Sequence, residues 1–168
     1  NPNLLVKEKV KINKKNITII SLDNSWRPRR AASDLQSFSL YKSVEQIINL
    51  CETMDSNKIS NYVIKSYKNR GINTSQLYKS HFNNKVSDKP LNKLYLNSSL
   101  VICTYPSTAF IEALFKKIPT ILLYPEDAYY LDDMFDNLIR KMELEGLIFN
   151  CPKKCFNFIK KNHNNFDL

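Results

Sequence analysis

Glycine is almost missing from this chain: Gly71 and Gly146 are the only two among 168 residues, where an ordinary composition of about 7% would supply about a dozen. Neither a P-loop nor a glycine-rich dinucleotide turn can be written with them. Histidine is equally scarce. His81 is expected in a polar loop and His163 in a tail rich in Lys and Asn, so no triad or ligand cluster is indicated. No apolar run approaches the roughly 18–20 residues of a membrane span, and the opening Asn1-Pro2-Asn3-Leu4 has no basic-then-apolar leader pattern. The four cysteines, Cys51, Cys103, Cys151 and Cys155, lack the dense pairing of a secreted scaffold and read as reduced thiols. Cys151 and Cys155 alone cannot close a tetrahedral zinc site, so neither a metal nor another cofactor is expected.

What is present describes a globular protein. Hydrophobic residues make up 43% and charged residues 24%, with 25 Lys and Arg against 16 Asp and Glu for a net charge of +9. That composition lies far from the disordered class, and the length suits one domain with a real core. Lys7, Lys9, Lys11, Lys14 and Lys15 face a single acid, Glu8. Residues 1–15 are therefore expected to be a basic lead-in, and 16–168 one domain. A start without Met, and an ending that reads as an unfinished helix, are those expected of a piece of a longer protein.

From Asn16 onward, short β-branched runs alternate with segments of helical period. The expected strands are Ile17–Ile20, Tyr62–Ser66, Leu100–Cys103, Thr120–Tyr124 and Leu147–Phe149. Val44, Ile47, Ile48 and Cys51 recur at helical spacing within Ser43–Met54. Further helices are expected to start at Asn73-Thr74-Ser75, at Ser107-Thr108, at Asp132-Asp133 and around Pro152, with Gly146 ending the fourth. About five βα units of this kind predict an α/β fold, an open, doubly wound parallel sheet of the Rossmann-like type.

The segment richest in chemistry runs from Ser98 to Leu114, where Leu100-Val101-Ile102-Cys103 is followed by Thr104-Tyr105-Pro106-Ser107-Thr108 and then by a helix. Ligands of such sheets gather at the carboxyl ends of strands, where a helix start offers free N–H groups to an anion. Ser107 and Thr108 add two hydroxyls, enough to hold one or two phosphates from one side. Glu112, one turn beyond Thr108, projects from the same face and is placed to accept the hydroxyls of a ribose. Phe110, Ile111, Leu114 and Phe115 are expected to turn toward the core. The plain alternatives are that Ser107 only caps the helix and that Glu112 pairs with Lys116.

In these residues the chain resembles the carboxyl-terminal, donor-binding half of GT-B glycosyltransferases, and more narrowly the transferases of bacterial surface-carbohydrate assembly. The resemblance rests on Tyr105-Pro106-Ser107-Thr108, Glu112-Ala113-Leu114, Pro119-Thr120-Ile121 and the closing Glu145–Phe149 and Cys151-Pro152. It extends over about the last 70 residues. It implies that Glu112 binds the ribose of a nucleotide-activated sugar and that Ser107 and Thr108 sit at its phosphates. It further implies a glycan or lipid-linked acceptor and an amino-terminal acceptor domain preceding this one. The chain differs from the commonest pattern in Lys116-Lys117-Ile118, where a small residue and glycine usually precede the proline, and in lacking the first of the paired glutamates. The catalytic base and the carboxylate that would contact the sugar stay unassigned.

Other groups fall on the same predicted edge. Arg27, Arg29 and Arg30 follow the first strand, and their guanidinium forks suit the phosphates of a diphosphate leaving group. Tyr105, Lys65 and Glu126 complete a candidate rim, although Lys65, with Lys68 and Arg70, also reads as a solvated edge. The competing class is a non-enzymatic basic module binding nucleic acid or another polyanion. No nucleic-acid-binding signature occurs, and the lysines are dispersed over the whole chain. That spread suits a cytoplasmic enzyme making peripheral contact with the anionic inner face of a membrane.

Overall fold

The computed structural model describes residues 16–21, 37–66, 74–125 and 136–162. Its elements are β1 (Asn16–Ile20), α1 (Ser37–Ser56), β2 (Tyr62–Lys65), α2 (Thr74–Phe82), a 3-10 turn (Asn83–Lys85), β3 (Val86–Ser87), α3 (Leu91–Tyr95), β4 (Ser98–Cys103), α4 (Thr108–Phe115), β5 (Thr120–Leu123), α5 (Asp136–Leu144), β6 (Ile148–Phe149) and α6 (Pro152–Asn162). The six strands form one sheet in the order β3-β2-β1-β4-β5-β6, and each neighbouring pair is parallel. The fold is thus α/β, a Rossmann-like open sheet, as the alternation of runs predicts.

Strand alternation divides the core into two layers. Ile17, Ile19, Leu100, Ile102, Ile121 and Leu123 point to the face covered by α1, α2 and α6. Ile20, Val101, Cys103, Leu122 and Ile148 point to the other, where α3, α4 and α5 lie. A sheet covered on both faces has no polar side, which is why its strands read as unbroken apolar runs. Helix α1 covers the first face with Leu40, Val44, Ile47, Cys51 and Met54 at intervals of three and four residues, joined by Leu50. At the start of β4 the hydroxyls of Thr18 and Ser98 lie 2.6 Å apart, and Ser98 donates to the Leu94 carbonyl at 2.8 Å, so both buried hydroxyls are satisfied.

The shortage of glycine shows in how the helices end. Three close with the same double bond: Ile59 to Met54 and Lys58 to Asp55 after α1, Ile118 to Ala113 and Lys117 to Leu114 after α4, Leu147 to Met142 and Gly146 to Glu143 after α5. This closure needs a left-handed residue. Gly146 supplies it at φ 70°, but Lys58 and Lys117 adopt φ 62° and 54° with a Cβ in place. The left-handed region disfavours a lysine relative to glycine by about 1 kcal/mol. Lys117→Gly is accordingly expected to stabilise the chain by about 0.5–1 kcal/mol. A higher urea midpoint at unchanged slope would register it, and an unchanged or lower midpoint would contradict it.

Several expectations need correction. The sequence reading has no counterpart to β3 or α3, because two half-buried residues and one short turn of helix carry no apolar period. Helix α1 begins six residues before Ser43, and β4 two residues before Leu100. On α4, Phe110 is buried with Ala109 and Ala113, but Ile111, Leu114 and Phe115 face outward, Phe115 being 84% exposed. An eight-residue helix on a flat sheet can bury only one stripe, and the two alanines take most of it. His81 lies in the last turn of α2 rather than in a loop.

Candidate functional site

The order of strands reverses between β1 and β4, which is where open α/β sheets form their ligand crevice, outside the carboxyl ends. Ile20 and Cys103 are the paired last residues of these strands. Just beyond them stand Ser21 and Thr104, both buried. Thr104 Oγ1 reaches the Ile20 carbonyl at 3.5 Å, a long bond that ties the exit of β4 to the end of β1. Ser21 N–H donates to the Lys65 carbonyl at 3.0 Å, and its hydroxyl meets that of Tyr78 at 2.9 Å, which fixes α2 beside the crevice. Sequence reasoning passed over Ser21 and gave Thr104 no role of its own, although each directly follows an apolar strand.

After Thr104 the chain turns sharply, with Ser107 N–H bonded to the Tyr105 carbonyl at 2.7 Å. Ser107 then occupies the N-cap of α4 in extended geometry, φ −93° and ψ 174°, yet its hydroxyl makes no capping bond. Its carbonyl accepts from Phe110 and Ile111, starting the helix. The N–H groups of Thr108 and Ala109 have no acceptor among the described residues. Two free N–H groups, a helix dipole and an uncommitted hydroxyl therefore meet at the end of β4. Tyr95 holds this turn in place by donating its hydroxyl to the Ala109 carbonyl at 2.8 Å. The small Ala109 and Ala113 face the sheet, and both are buried.

Thr108 and Glu112 are exposed on the outer side of α4, one turn apart. No ion pair joins Glu112 to Lys116 among the described residues. Of the plain alternatives, Ser107 does take the N-cap position, although without a side-chain capping bond, while Glu112 is not spent on its neighbour. Tyr105 stands exposed in the preceding turn. Lys65 differs from its reading as a solvated edge, because at the end of β2 it is only 6% exposed. It lies on the side of β1 away from β4, since β2 and β4 flank β1. Arg27, Arg29, Arg30, Glu126, Lys68, Arg70, Asp132, Asp133 and His163 lie outside the described residues.

The thiol nearest the crevice is not a nucleophile. Burial pushes Cys103 up to about 12, so it stays protonated at neutral pH. Among the described residues no three His, Cys, Asp or Glu side chains gather to hold a metal ion. No helix among them is long and apolar enough to cross a membrane.

A family model described as LIC12162 family transferase matches residues 1–168, the whole chain. The chain belongs to that family. Membership makes the chain a transferase. No curated protein and no solved structure matches this transferase significantly.

Proposed function

We propose that this transferase domain binds a nucleotide-activated sugar, with its diphosphate at the amino-terminal end of α4 and its ribose on Glu112, for transfer to a glycan or lipid-linked acceptor in cell-surface polysaccharide assembly. The observation that carries this reading is the turn at Ser107, where a hydroxyl and two N–H groups are uncommitted at the switch point of the sheet. These donors suit a diphosphate for two reasons. They are fixed before the ligand arrives, and negative charge grows on the leaving diphosphate as the bond to the sugar breaks, so their attraction is greatest in the transition state. Arg27, Arg29 and Arg30 belong to the same proposal by sequence order, as does an acceptor-binding domain contributed from elsewhere. The general resemblance to GT-B donor domains supports the sugar as the transferred group.

Glu112 carries the test. A carboxylate accepting two ribose hydroxyls contributes charge-assisted hydrogen bonds of about 1.5–3 kcal/mol, so Glu112→Gln is expected to weaken binding about 10- to 100-fold. The exposed position means that the fold itself should be unaffected. Titration calorimetry with UDP, GDP, CMP, CDP and ADP, on the parent chain and on Glu112→Gln, provides the measurement. Binding of one nucleotide that the variant loses supports the donor site. Failure of all five to bind, with salt-sensitive binding of a short RNA, would replace it with the nucleic-acid reading.

A further inference from the structure

The two most exposed large hydrophobic side chains among the described residues are Leu144, 88% exposed, and Phe115, 84% exposed. They occupy equivalent places. Phe115 ends α4 and Leu144 ends α5, each two residues before the left-handed residue, Lys117 or Gly146, that closes its helix. Because α4 leads into β5 and α5 into β6, and these strands are parallel neighbours, both side chains stand at the amino edge of the sheet. Leu96 joins them. It follows α3 at the same edge, ahead of the adjacent strand β4, and is 52% exposed. Three exposed apolar side chains thus lie in a row along the turns before β4, β5 and β6.

Exposed leucines scattered singly would need no explanation. A row at one edge does, and the charge around it narrows the occupant. From the last turn of each helix to the start of the next strand, the described residues hold nine lysines against four acids, Asp55, Glu112, Glu143 and Glu145. Lys116 and Lys117 directly follow Phe115, Lys141 precedes Leu144 by one turn, and Lys160 and Lys161 lie in the last turn of α6. Of the nine, only Lys79 forms an ion pair among the described residues, with Asp88 at 3.6 Å. The chain also enters β1 at this edge, directly after Lys14 and Lys15. Lysines alone would be explained by the dipoles of the helices that end here. Apolar side chains at the same ends are not, since a helix terminus offers them nothing to pack on.

We infer that the amino edge of the sheet docks on an anionic lipid surface, with Leu96, Phe115 and Leu144 entering the interface and the lysines meeting the phosphates of the headgroups. A protein partner is the poorer match, because lysine is depleted from the cores of protein interfaces. At a lipid surface its stem lies along the apolar layer while the ammonium stays among the headgroups. The crevice between β1 and β4 opens at the opposite edge, so docking leaves it in water. The inference does not depend on the nucleotide reading.

Co-sedimentation of the full chain with vesicles tests it, comparing phosphatidylcholine alone with phosphatidylcholine and phosphatidylglycerol in equal parts. Binding to the mixed vesicles is expected to be about tenfold stronger or more, and to weaken as salt is added. Phe115→Ala, harmless to the fold because the side chain is exposed, should weaken it about tenfold, the effect of losing one inserted aromatic ring. Lys117→Gly should weaken it about fivefold, the attraction of one lysine to an anionic leaflet, while raising stability, so that unfolding does not explain the loss. Tyr41→Ala removes an exposed side chain near the start of α1, at the opposite edge, and should change nothing. Glu112→Gln should not weaken vesicle binding, which separates this surface from the nucleotide site. Equal binding to both kinds of vesicle, no binding to the mixed ones, or binding that Phe115→Ala reduces no more than Tyr41→Ala does overturns the inference. A dimer in light scattering that Phe115→Ala dissolves, in a chain that binds no vesicles, would assign the edge to a second copy instead.

Discussion

Ile102→Ala is expected to destabilise the chain by about 2–5 kcal/mol, a large part of the roughly 5–15 kcal/mol that holds a domain of this size together. Ile102 sits in the middle of β4, paired with Ile19 of β1 on one side and with Ile121 of β5 on the other, and has no exposed surface. Its side chain enters the layer that α1 and α6 close, so the surrounding helices cannot collapse onto the space without leaving the sheet. Truncation loses the transfer energy of three carbons and leaves a cavity whose lining loses its contacts. Phe115→Ala removes more atoms, yet from a side chain 84% exposed it should change stability by no more than about 0.5 kcal/mol. Urea unfolding of the two variants checks the contrast. Equal losses would show that the outer face of α4 is covered, against the burial seen here.

The legible part of this fold is the part whose sequence is written by burial. Strands β1, β2, β4 and β5 are covered on both faces, so each leaves a run such as Ile17-Thr18-Ile19-Ile20 or Thr120-Ile121-Leu122-Leu123 that no helix of this length would write. The edge strand β3 leaves no such mark. Val86-Ser87 forms β3 by backbone pairing with Ile64 and Lys65 alone, and both of its residues are half-buried. Helix α4 shows the opposite error. Its apolar content is high enough to suggest burial all round, but Ile111, Leu114 and Phe115 lie opposite the Ala109–Ala113 stripe, and only the position of the sheet decides which stripe goes inward.

For the candidate site, sequence order was enough to bring Ser107, Thr108 and Glu112 together, because a strand, a turn and a helix follow within eighteen residues. It was not enough to set Ser21 beside Thr104. Those two are joined by the pairing of β1 with β4, across more than eighty residues of chain. Groups brought together by sheet order leave no local spacing to read. The same holds for Lys65, whose burial comes from the sheet and not from its neighbours in sequence.

Raising the pH above about 9 is expected to lower stability steeply, through the buried thiols. Cys103 is pushed up to about 12 by burial alone. Cys51 and Cys155 are raised further, again chiefly by burial, with the charge of Asp55 adding to the effect at Cys51. In the unfolded chain all three ionise near their ordinary value of about 9. Above that pH the unfolded state has released three protons that the folded state still binds, so stability falls as pH rises, and below it the stability they contribute is fully present. Each thiol contributes about 1.4 kcal/mol per pH unit, and the three together about 4 kcal/mol per unit, until the folded value of Cys103 is reached. Urea unfolding in reducing buffer from about pH 8 to about pH 10.5 measures this slope, to which Tyr62, also raised by burial, adds toward the upper end. Cys155→Ala isolates the thiol share. It lowers stability at neutral pH by leaving a small cavity, but it should also make the alkaline decline shallower by about 1.4 kcal/mol per pH unit. Parallel declines in the parent and in Cys155→Ala would mean that this thiol ionises as readily folded as unfolded, and that α6 does not seal it against the sheet.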